Sequence, residues 1–376
     1  MNESNRIAED VRFLKLAISL GYRARGQTWP NPPVGCVLVK DGTIVGTGYT
    51  GFGGRPHAET NALKEAGKLS EGATAYVTLE PCSHYGETPP CALELIKANV
   101  KRVVCPMEDP DPRVNGSGFK LLEEHGIIVD RNSGLLPEAK NLVEGFLKVV
   151  EKKRPFIALK LALSLNGKIA TKSSESNWIS GEDARTLVHF FRSHYDAVMV
   201  GTKTALTDNP NLNLRGQFAY LPSPQKIIID RELALPKTSN FVKNSTLGNL
   251  IMVHDQQIDP TILRKWRQNG IKTLGVRTDK RNHLDLKDLF IKLADLGLTS
   301  VLVEGGGTLA TALLEQDLVD LLILFTAGLI IDKQGINGLN LTMPTNTTLS
   351  DMPRFSLEKT YRIGDDVAHF WRPLTK

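Results

Sequence analysis

The chain has 376 residues, enough for about two domains of ordinary size. Hydrophobic residues make up 41% and charged residues 23%, a balance that excludes a disordered chain. With 46 Lys and Arg against 41 Asp and Glu, the net charge is only +5, too mild for a dedicated nucleic-acid binder and compatible with an anionic small-molecule substrate.

The start, Met1-Asn2-Glu3-Ser4-Asn5-Arg6, has no apolar run behind a basic segment, so no secretory signal is expected. Apolar residues Val11, Leu14 and Ile18 then recur at helical spacing over 9–21. Residues 34–39 form a short β-rich run, Asp41-Gly42 is a hairpin signal, and 43–47 is the returning strand. Next come a helix over 58–66, a strand over 73–79, a helix over 91–98, a strand over 102–105, a helix over 118–124 and a strand over 127–129. This alternation predicts an α/β domain with helices on both faces of its sheet.

A second rhythm begins near Pro155. Strands are expected over 156–163, 197–200, 226–229, 249–253, 300–303 and 321–325, with helices over 182–193, 285–295 and 309–315. The apolar stretch 321–331 falls well short of the ~20 residues of a transmembrane helix and reads as a buried strand. No internal repeat is visible. The boundary falls within 147–155, where Glu151-Lys152-Lys153-Arg154 reads as a solvated connector ahead of a proline. The expected domains are therefore 1–150 and 151–376.

Chemistry in the first domain centres on His57-Ala58-Glu59, at a helix start, and on Cys82 and Cys91, with eight residues between them, at a strand end and a helix start. One imidazole and two thiolates leave the fourth tetrahedral zinc position open, which is the catalytic pattern rather than the structural one. A helix N-terminus favours the Cys91 thiolate. Glu59, two residues from His57, can reach the same cavity without ligating metal and can relay a proton from zinc-bound water to a leaving group. The set matches the H-x-E…P-C signature of zinc deaminases. Cys36 and Cys105 lie inside strand-like runs and read as core residues. Four cysteines in so long a chain do not make a disulfide scaffold, so a cytoplasmic location is expected.

Asn31-Pro32-Pro33-Val34-Gly35-Cys36, Pro56-His57-Ala58-Glu59 and the stretch from Thr78-Leu79-Glu80-Pro81-Cys82-Ser83-His84-Tyr85-Gly86 to Thr88-Pro89-Pro90-Cys91 resemble the bifunctional riboflavin-biosynthesis deaminase–reductase family. The long loop between the cysteines is the specific part, since nucleic-acid and cytidine deaminases of the superfamily have two residues there. The resemblance implies a cytidine-deaminase-like fold, zinc on His57, Cys82 and Cys91, Glu59 as proton shuttle, and Asn31 and His84 as pyrimidine-binding residues. The chain departs from the family at Glu87, where a basic residue is usual; a carboxylate facing a phosphorylated substrate is unfavourable, and one facing solvent is neutral.

The second domain shows four signals: Leu159 to Ala170, a strand into a turn; Ser176-Asn177-Trp178-Ile179-Ser180-Gly181 before a helix with Arg185, His189 and Arg192; Val200-Gly201-Thr202-Lys203-Thr204 followed by Asp208-Asn209-Pro210, Leu212 and Arg215; and Val301-Leu302-Val303-Glu304-Gly305-Gly306-Gly307-Thr308 entering a helix. A strand, three glycines and a helix start offer bare backbone N–H groups to a phosphate, though a tight turn accounts for them equally well. Arg192 and Arg215 could fork onto a phosphate or serve as surface ion-pair partners. In order and content these signals resemble the reductase half of the same family, with a dihydrofolate-reductase-like fold and NADPH as cofactor. The resemblance implies NADPH contacts from Ala162, Trp178, Thr204, Asp208, Gly306 and Gly307. It implies substrate contacts from Ser176, Arg192, Leu212, Arg215 and Glu304. A second departure is Asn166, where the family commonly has Asp.

The expected activity is zinc-dependent deamination of a diaminopyrimidinone ribosyl phosphate, followed by NADPH-dependent reduction of the ribosyl chain. The expected partner is this small molecule, with no nucleic acid and no membrane, and a homo-oligomer is usual in the family. Alternatives are a deaminase with an inactive reductase domain, resting on Glu87 and Asn166, a nucleic-acid-editing deaminase, and a zinc site that only holds the fold together.

Overall fold

In a computed structural model, which describes residues 3–86, 88–131, 134–175, 179–244, 248–342 and 346–374, Phe13, Leu14, Ala17 and Ile18 line one face of the first helix, α1 (Glu3–Tyr22). Their spacing of three and four residues puts them in one buried stripe. The chain divides into two units, Met1–Lys153 and Arg154–Lys376.

In the first unit α1 is followed by β1 (Gly35–Lys40), β2 (Thr43–Tyr49), α2 (Ala58–Ala66), β3 (Thr74–Val77), α3 (Cys91–Lys97), β4 (Arg102–Val104), α4 (Ser117–Glu124), β5 (Ile128–Asp130), α5 (Leu136–Leu142) and α6 (Glu144–Lys152). The sheet order is β2-β1-β3-β4-β5. β1 is antiparallel to β2 and β3, and the other pairs are parallel. Asp41 and Gly42 both have positive φ, 50° and 74°, as the two-residue turn of a right-twisted hairpin requires. Along β1, Val37 and Val39 join Phe13 and Leu14 in one core, while Cys36 and Leu38 join residues of α2, α3 and α4 in the other. Helices therefore cover both faces. Gly48 permits the closeness of α2 to β2, because a Cβ there would lie 2.1 Å from the Ala58 carbonyl oxygen.

The second unit contains β6 (Phe156–Ser164), β7 (Lys168–Ala170), α7 (Glu182–Ser193), β8 (Ala197–Gly201), α8 (Thr202–Asp208), β9 (Gln225–Ile229), α9 (Asn240–Lys243), β10 (Leu250–Asp255), α10 (Pro260–Arg267), β11 (Lys272–Val276), α11 (Leu286–Asp295), β12 (Ser300–Val303), α12 (Gly307–Glu315), β13 (Leu321–Ala327), β14 (Ile336–Asn337), β15 (Phe355–Ile363) and β16 (Asp366–Pro373). Its main sheet runs β11-β10-β9-β8-β12-β6-β13-β16-β15. The strands from β11 to β13 are parallel, and β16 runs antiparallel to both of its neighbours. Among the described residues no helix is long and apolar enough to cross a membrane, and the apolar run from Leu321 is the buried strand β13.

In the charged run 151–154, Glu151, Lys152 and Lys153 are exposed at the junction of the two units, as expected of a solvated connector, but Arg154 is not. The helix α6 continues to Lys152, and Lys153 ends it at φ 56°. Arg154 then donates to both carboxylate oxygens of Asp320 at 2.6 and 2.9 Å, with its side chain 16% exposed. Burial of this fork with a bidentate partner is a long-range contact that local composition does not carry.

Candidate active sites

Three helix and strand ends bring the first constellation together. His57 is the N-cap of α2, Cys91 opens α3, and Cys82 lies in the loop beyond β3. One ligand atom from each lies within 4.8 Å of the others. His57 Nδ1 is 3.2 Å from Cys91 Sγ and 3.7 Å from Cys82 Sγ, and the Cys91 amide donates to Cys82 Sγ at 3.3 Å. Glu59, in the first turn of α2, is 4% exposed.

The electrostatics follow from this crowding. Hydrogen bonds from Cys91 and His57 hold the Cys82 thiol well below the usual range despite burial. Cys91 is pushed up by its bond to Cys82 and by burial, and the Cys82 partner raises His57. Burial pushes Glu59 up to about 7. Ionising Cys91 beside the Cys82 thiolate and Glu59 would leave an excess of negative charge out of water, and a dication would neutralise it. One nitrogen and two sulfurs with an open fourth position suit catalytic zinc. Cys36 and Cys105 are fully buried, and burial raises both thiols, as befits core cysteines.

Asn31 donates through Nδ2 to the Gly54 carbonyl oxygen at 3.1 Å, and among the described residues its Oδ1 has no hydrogen-bond partner. His84 has a buried Nδ1 without a partner. Each thus keeps a polar atom for a ligand. Glu87, Ser176 and Trp178 lie outside the described residues. Glu80 carries a role that sequence reasoning missed. Its buried carboxylate accepts backbone N–H groups of Asp109, Gly116, Gly118 and Phe119 at 2.8 to 3.2 Å, which fastens the 109–119 loop beside Cys82. The only local signal was its place in Thr78-Leu79-Glu80-Pro81-Cys82.

In the second unit one cavity of about 1660 Å³ is lined by Ala162, Thr204, Asp208, Gly306 and Gly307 together with Arg192, Leu212, Arg215 and Glu304. All the described residues of this unit expected to touch NADPH or substrate therefore share one space. Thr204 Oγ1 accepts the Gly306 amide at 3.1 Å, and Gly306 caps α12. Gly307 must be small, since a Cβ there would lie 2.8 Å from the Asn337 carbonyl oxygen. Arg192 forks onto Glu304, with Nε to Oε1 at 2.6 Å and Nη2 to Oε2 at 3.0 Å. Burial favours neutral Glu304, but Arg192 and then Lys160 overcome this and hold it below the usual range. Burial lowers Lys160 and His189, which line the same wall. Leu212 is buried at φ 51°, a conformation that costs a leucine energy and that only its surroundings impose.

Asn166 is an anchor rather than a bare turn residue. Its Nδ2 donates to the Ile331 carbonyl oxygen at 2.6 Å, and its Oδ1 accepts from the Ile331 amide at 3.2 Å and from Ser164 Oγ at 2.8 Å. The amide serves as donor and acceptor at once, which an ionised Asp cannot do.

Comparison with known proteins covers both units. The family model for the cytidine and deoxycytidylate deaminase zinc-binding region matches residues 7–107, and that for the RibD C-terminal domain matches residues 155–369. The riboflavin biosynthesis protein RibD of Escherichia coli (strain K12) is 39% identical over 372 residues, spanning 96% of this chain and 98% of its own. That of Aquifex aeolicus (strain VF5) is 35% identical over 367 residues, spanning 96% and 98%. The solved structure of Acinetobacter baumannii RibD, form 1, matches with TM-score 0.88 at 34% identity, over 98% of this chain and 100% of its own. A diaminohydroxyphosphoribosylaminopyrimidine deaminase/5-amino-6-(5-phosphoribosylamino)uracil reductase from Thermotoga maritima matches with TM-score 0.84 at 33% identity, over 98% and 100%.

Proposed function

The chain belongs to the RibD family of riboflavin biosynthesis proteins, and from that premise we propose how its residues divide the work. It is a bifunctional enzyme, a deaminase and a reductase with zinc and NADPH as cofactors, acting on a small molecule. The first reaction removes an amino group from a diaminopyrimidinone ribosyl phosphate as ammonia, and the second reduces the ribosyl chain to ribityl.

His57, Cys82 and Cys91 hold the zinc. Bound there, zinc supplies a water of lowered pKa as nucleophile at neutral pH. The Glu59 carboxylate takes a proton from the attacking water and delivers it to the departing amino nitrogen. Its burial matches it to this task, because a carboxyl near 7 both accepts and returns a proton at neutral pH. Asn31 Oδ1 and His84 orient the pyrimidine. The observation that carries this half is the convergence of three ligand atoms within 4.8 Å beside buried Glu59.

In the second unit NADPH supplies the hydride. Ala162, Trp178, Thr204, Asp208 and the Gly306-Gly307 turn hold the cofactor. Ser176, Arg192, Leu212, Arg215 and Glu304 hold the ribosyl phosphate, with Glu304 fixed by the Arg192 fork. We place the working enzyme in the cytoplasm as a homo-oligomer without nucleic-acid or membrane partners. The four free cysteines, the net charge of +5 and the family resemblance support that placement.

The test follows ammonia and NADPH oxidation together, with zinc-loaded protein and the diaminopyrimidinone ribosyl phosphate. Equal amounts of each are expected. Ammonia without NADPH oxidation overturns the reductase half, and NADPH oxidation without ammonia overturns the deaminase half.

A further inference from the structure

Leu212 and Arg215 line the reductase cavity from a segment that has no backbone ladder. Among the described residues, 210–214 make no backbone-to-backbone hydrogen bond. The segment nevertheless keeps Leu212 buried at φ 51°, which a leucine holds only where its surroundings impose it. Its placement therefore falls to side chains.

Three ties supply it, and two of them lead to one short helix. Asn209 ends α8 at φ 39°. Its Oδ1 accepts the Asn240 amide at 2.8 Å, and its carbonyl oxygen accepts Asn240 Nδ2, also at 2.8 Å. Two residues on, Asn211 Oδ1 accepts Asn244 Nδ2 at 2.7 Å. The third tie is Arg192 Nη1, which reaches the Asn213 carbonyl oxygen at 3.4 Å. The helix α9 is itself a fixed point. Phe241 is fully buried in the same core as Leu212, and the buried Lys226 donates through Nζ to the Asn244 carbonyl oxygen at 3.3 Å. Asp208 and Leu212 line the cavity, whereas Asn209 and Asn240 do not.

We propose that Asn240 is a positioning residue of the reductase: acting through Asn209, it holds the 208–215 segment so that Leu212 and Arg215 meet the ribosyl phosphate substrate. The proposal rests on the reading of those two residues as substrate contacts. A two-point pair fixes orientation as well as distance, because the amide and the Nδ2 group of Asn240 donate to different atoms of one residue. A segment left loose has to be ordered by the substrate, and that ordering weakens the substrate's affinity. NADPH depends less on this pair, since Thr204, at the other end of α8, is tied to Gly306 by its own bond.

The experiment uses the full zinc-loaded chain with the deaminated ribosyl phosphate, and reads NADPH affinity separately from its fluorescence without substrate. Asn240→Ala and Asn240→Asp both lack the Nδ2 donor, and the second keeps the size of the side chain. Each should raise KM for the substrate about fivefold, the worth of one such hydrogen bond, with NADPH affinity and ammonia release as in the parent. Asn209→Asp keeps both acceptor oxygens and should stay closer to the parent than Asn209→Ala. A merely structural role lowers the fraction of active protein, which scales kcat and leaves KM in place. An unchanged KM in Asn240→Asp therefore overturns the proposal, even where Asn240→Ala fails to fold. So does a loss of NADPH affinity at unchanged KM. Absence of NADPH oxidation by the unaltered chain overturns the reductase reading itself, which no variant result does.

Discussion

Glu80 accepts the Gly118 amide at 2.8 Å through Oε1, and this bond holds the first turn of α4 against the segment that carries Cys82. The fit needs glycine, since a Cβ at Gly118 would lie 2.0 Å from the Pro81 carbonyl oxygen. With three further amides on the same carboxylate, Glu80 supplies the acceptors for a loop whose own secondary structure does not satisfy them. Glu80→Gln puts an amide donor where only donors converge. It should destabilise the deaminase unit by about 2–4 kcal/mol and speed zinc loss to a chelator. Urea unfolding and chelator competition check this, and unchanged values for both would refute the anchoring role.

Glu59→Gln should keep zinc and lose ammonia release by about 10²–10⁴-fold, the usual worth of a positioned proton carrier. NADPH oxidation on substrate already deaminated should be unchanged. Metal analysis and the two assays on one preparation check all three. By contrast, Cys91→Ala should lose the zinc along with the activity.

Asn166→Asp should destabilise the reductase unit. The new carboxylate would set an oxygen against the Ile331 carbonyl oxygen, 2.6 Å from the present amide nitrogen, and lose a donor. The expected cost is about 1–3 kcal/mol, visible as a lower melting transition of that unit. An unshifted transition would show that the amide donor is dispensable and that this position only shapes the turn.

Asp109 is 7% exposed, and burial pushes its carboxyl from 3.8 up to about 6. A raised carboxyl favours folding in its neutral form. Its contribution is full below the unfolded value and is lost as pH rises through about 6. Asp109→Asn keeps an acceptor for the Asp111 amide and removes the titration. The variant should match the parent near pH 4 and exceed it near pH 8 by on the order of 2 kcal/mol. Denaturant unfolding at the two pH values checks the sign, and a gain confined to acid pH would contradict it.

The cavity of the second unit divides what was legible from what was not. The Gly305–Gly307 turn stands out in one short stretch, because a phosphate-ready turn is a local backbone property. Lys203, Arg231 and Arg281 line the same cavity but are spread over 78 residues of numbering, and nothing local in the sequence marks them as sharing it. The hairpin of β15 and β16 went unread for another reason: β15 is the edge strand of its sheet and is exposed along most of its length, so burial places little apolar signal on it.

Taken alone, the sequence determined what short-range physics specifies. The Asp41-Gly42 turn, the exact span of α2 at 58–66, the α7 span at 182–193 and the pairing of His57 with Glu59 on one helix start all depend on neighbours within a few residues. The motifs around Cys82 and Cys91 also carried the family resemblance. Only the tertiary structure decided what each charge faces. Arg154 meets Asp320 from 166 residues away, Arg192 meets Glu304 from 112, and Glu80 meets a loop almost 40 residues on. A charged side chain has no periodicity to betray its partner. Its partner is whatever the packing of apolar faces happens to bring within 3 Å, and that packing is a property of the whole unit.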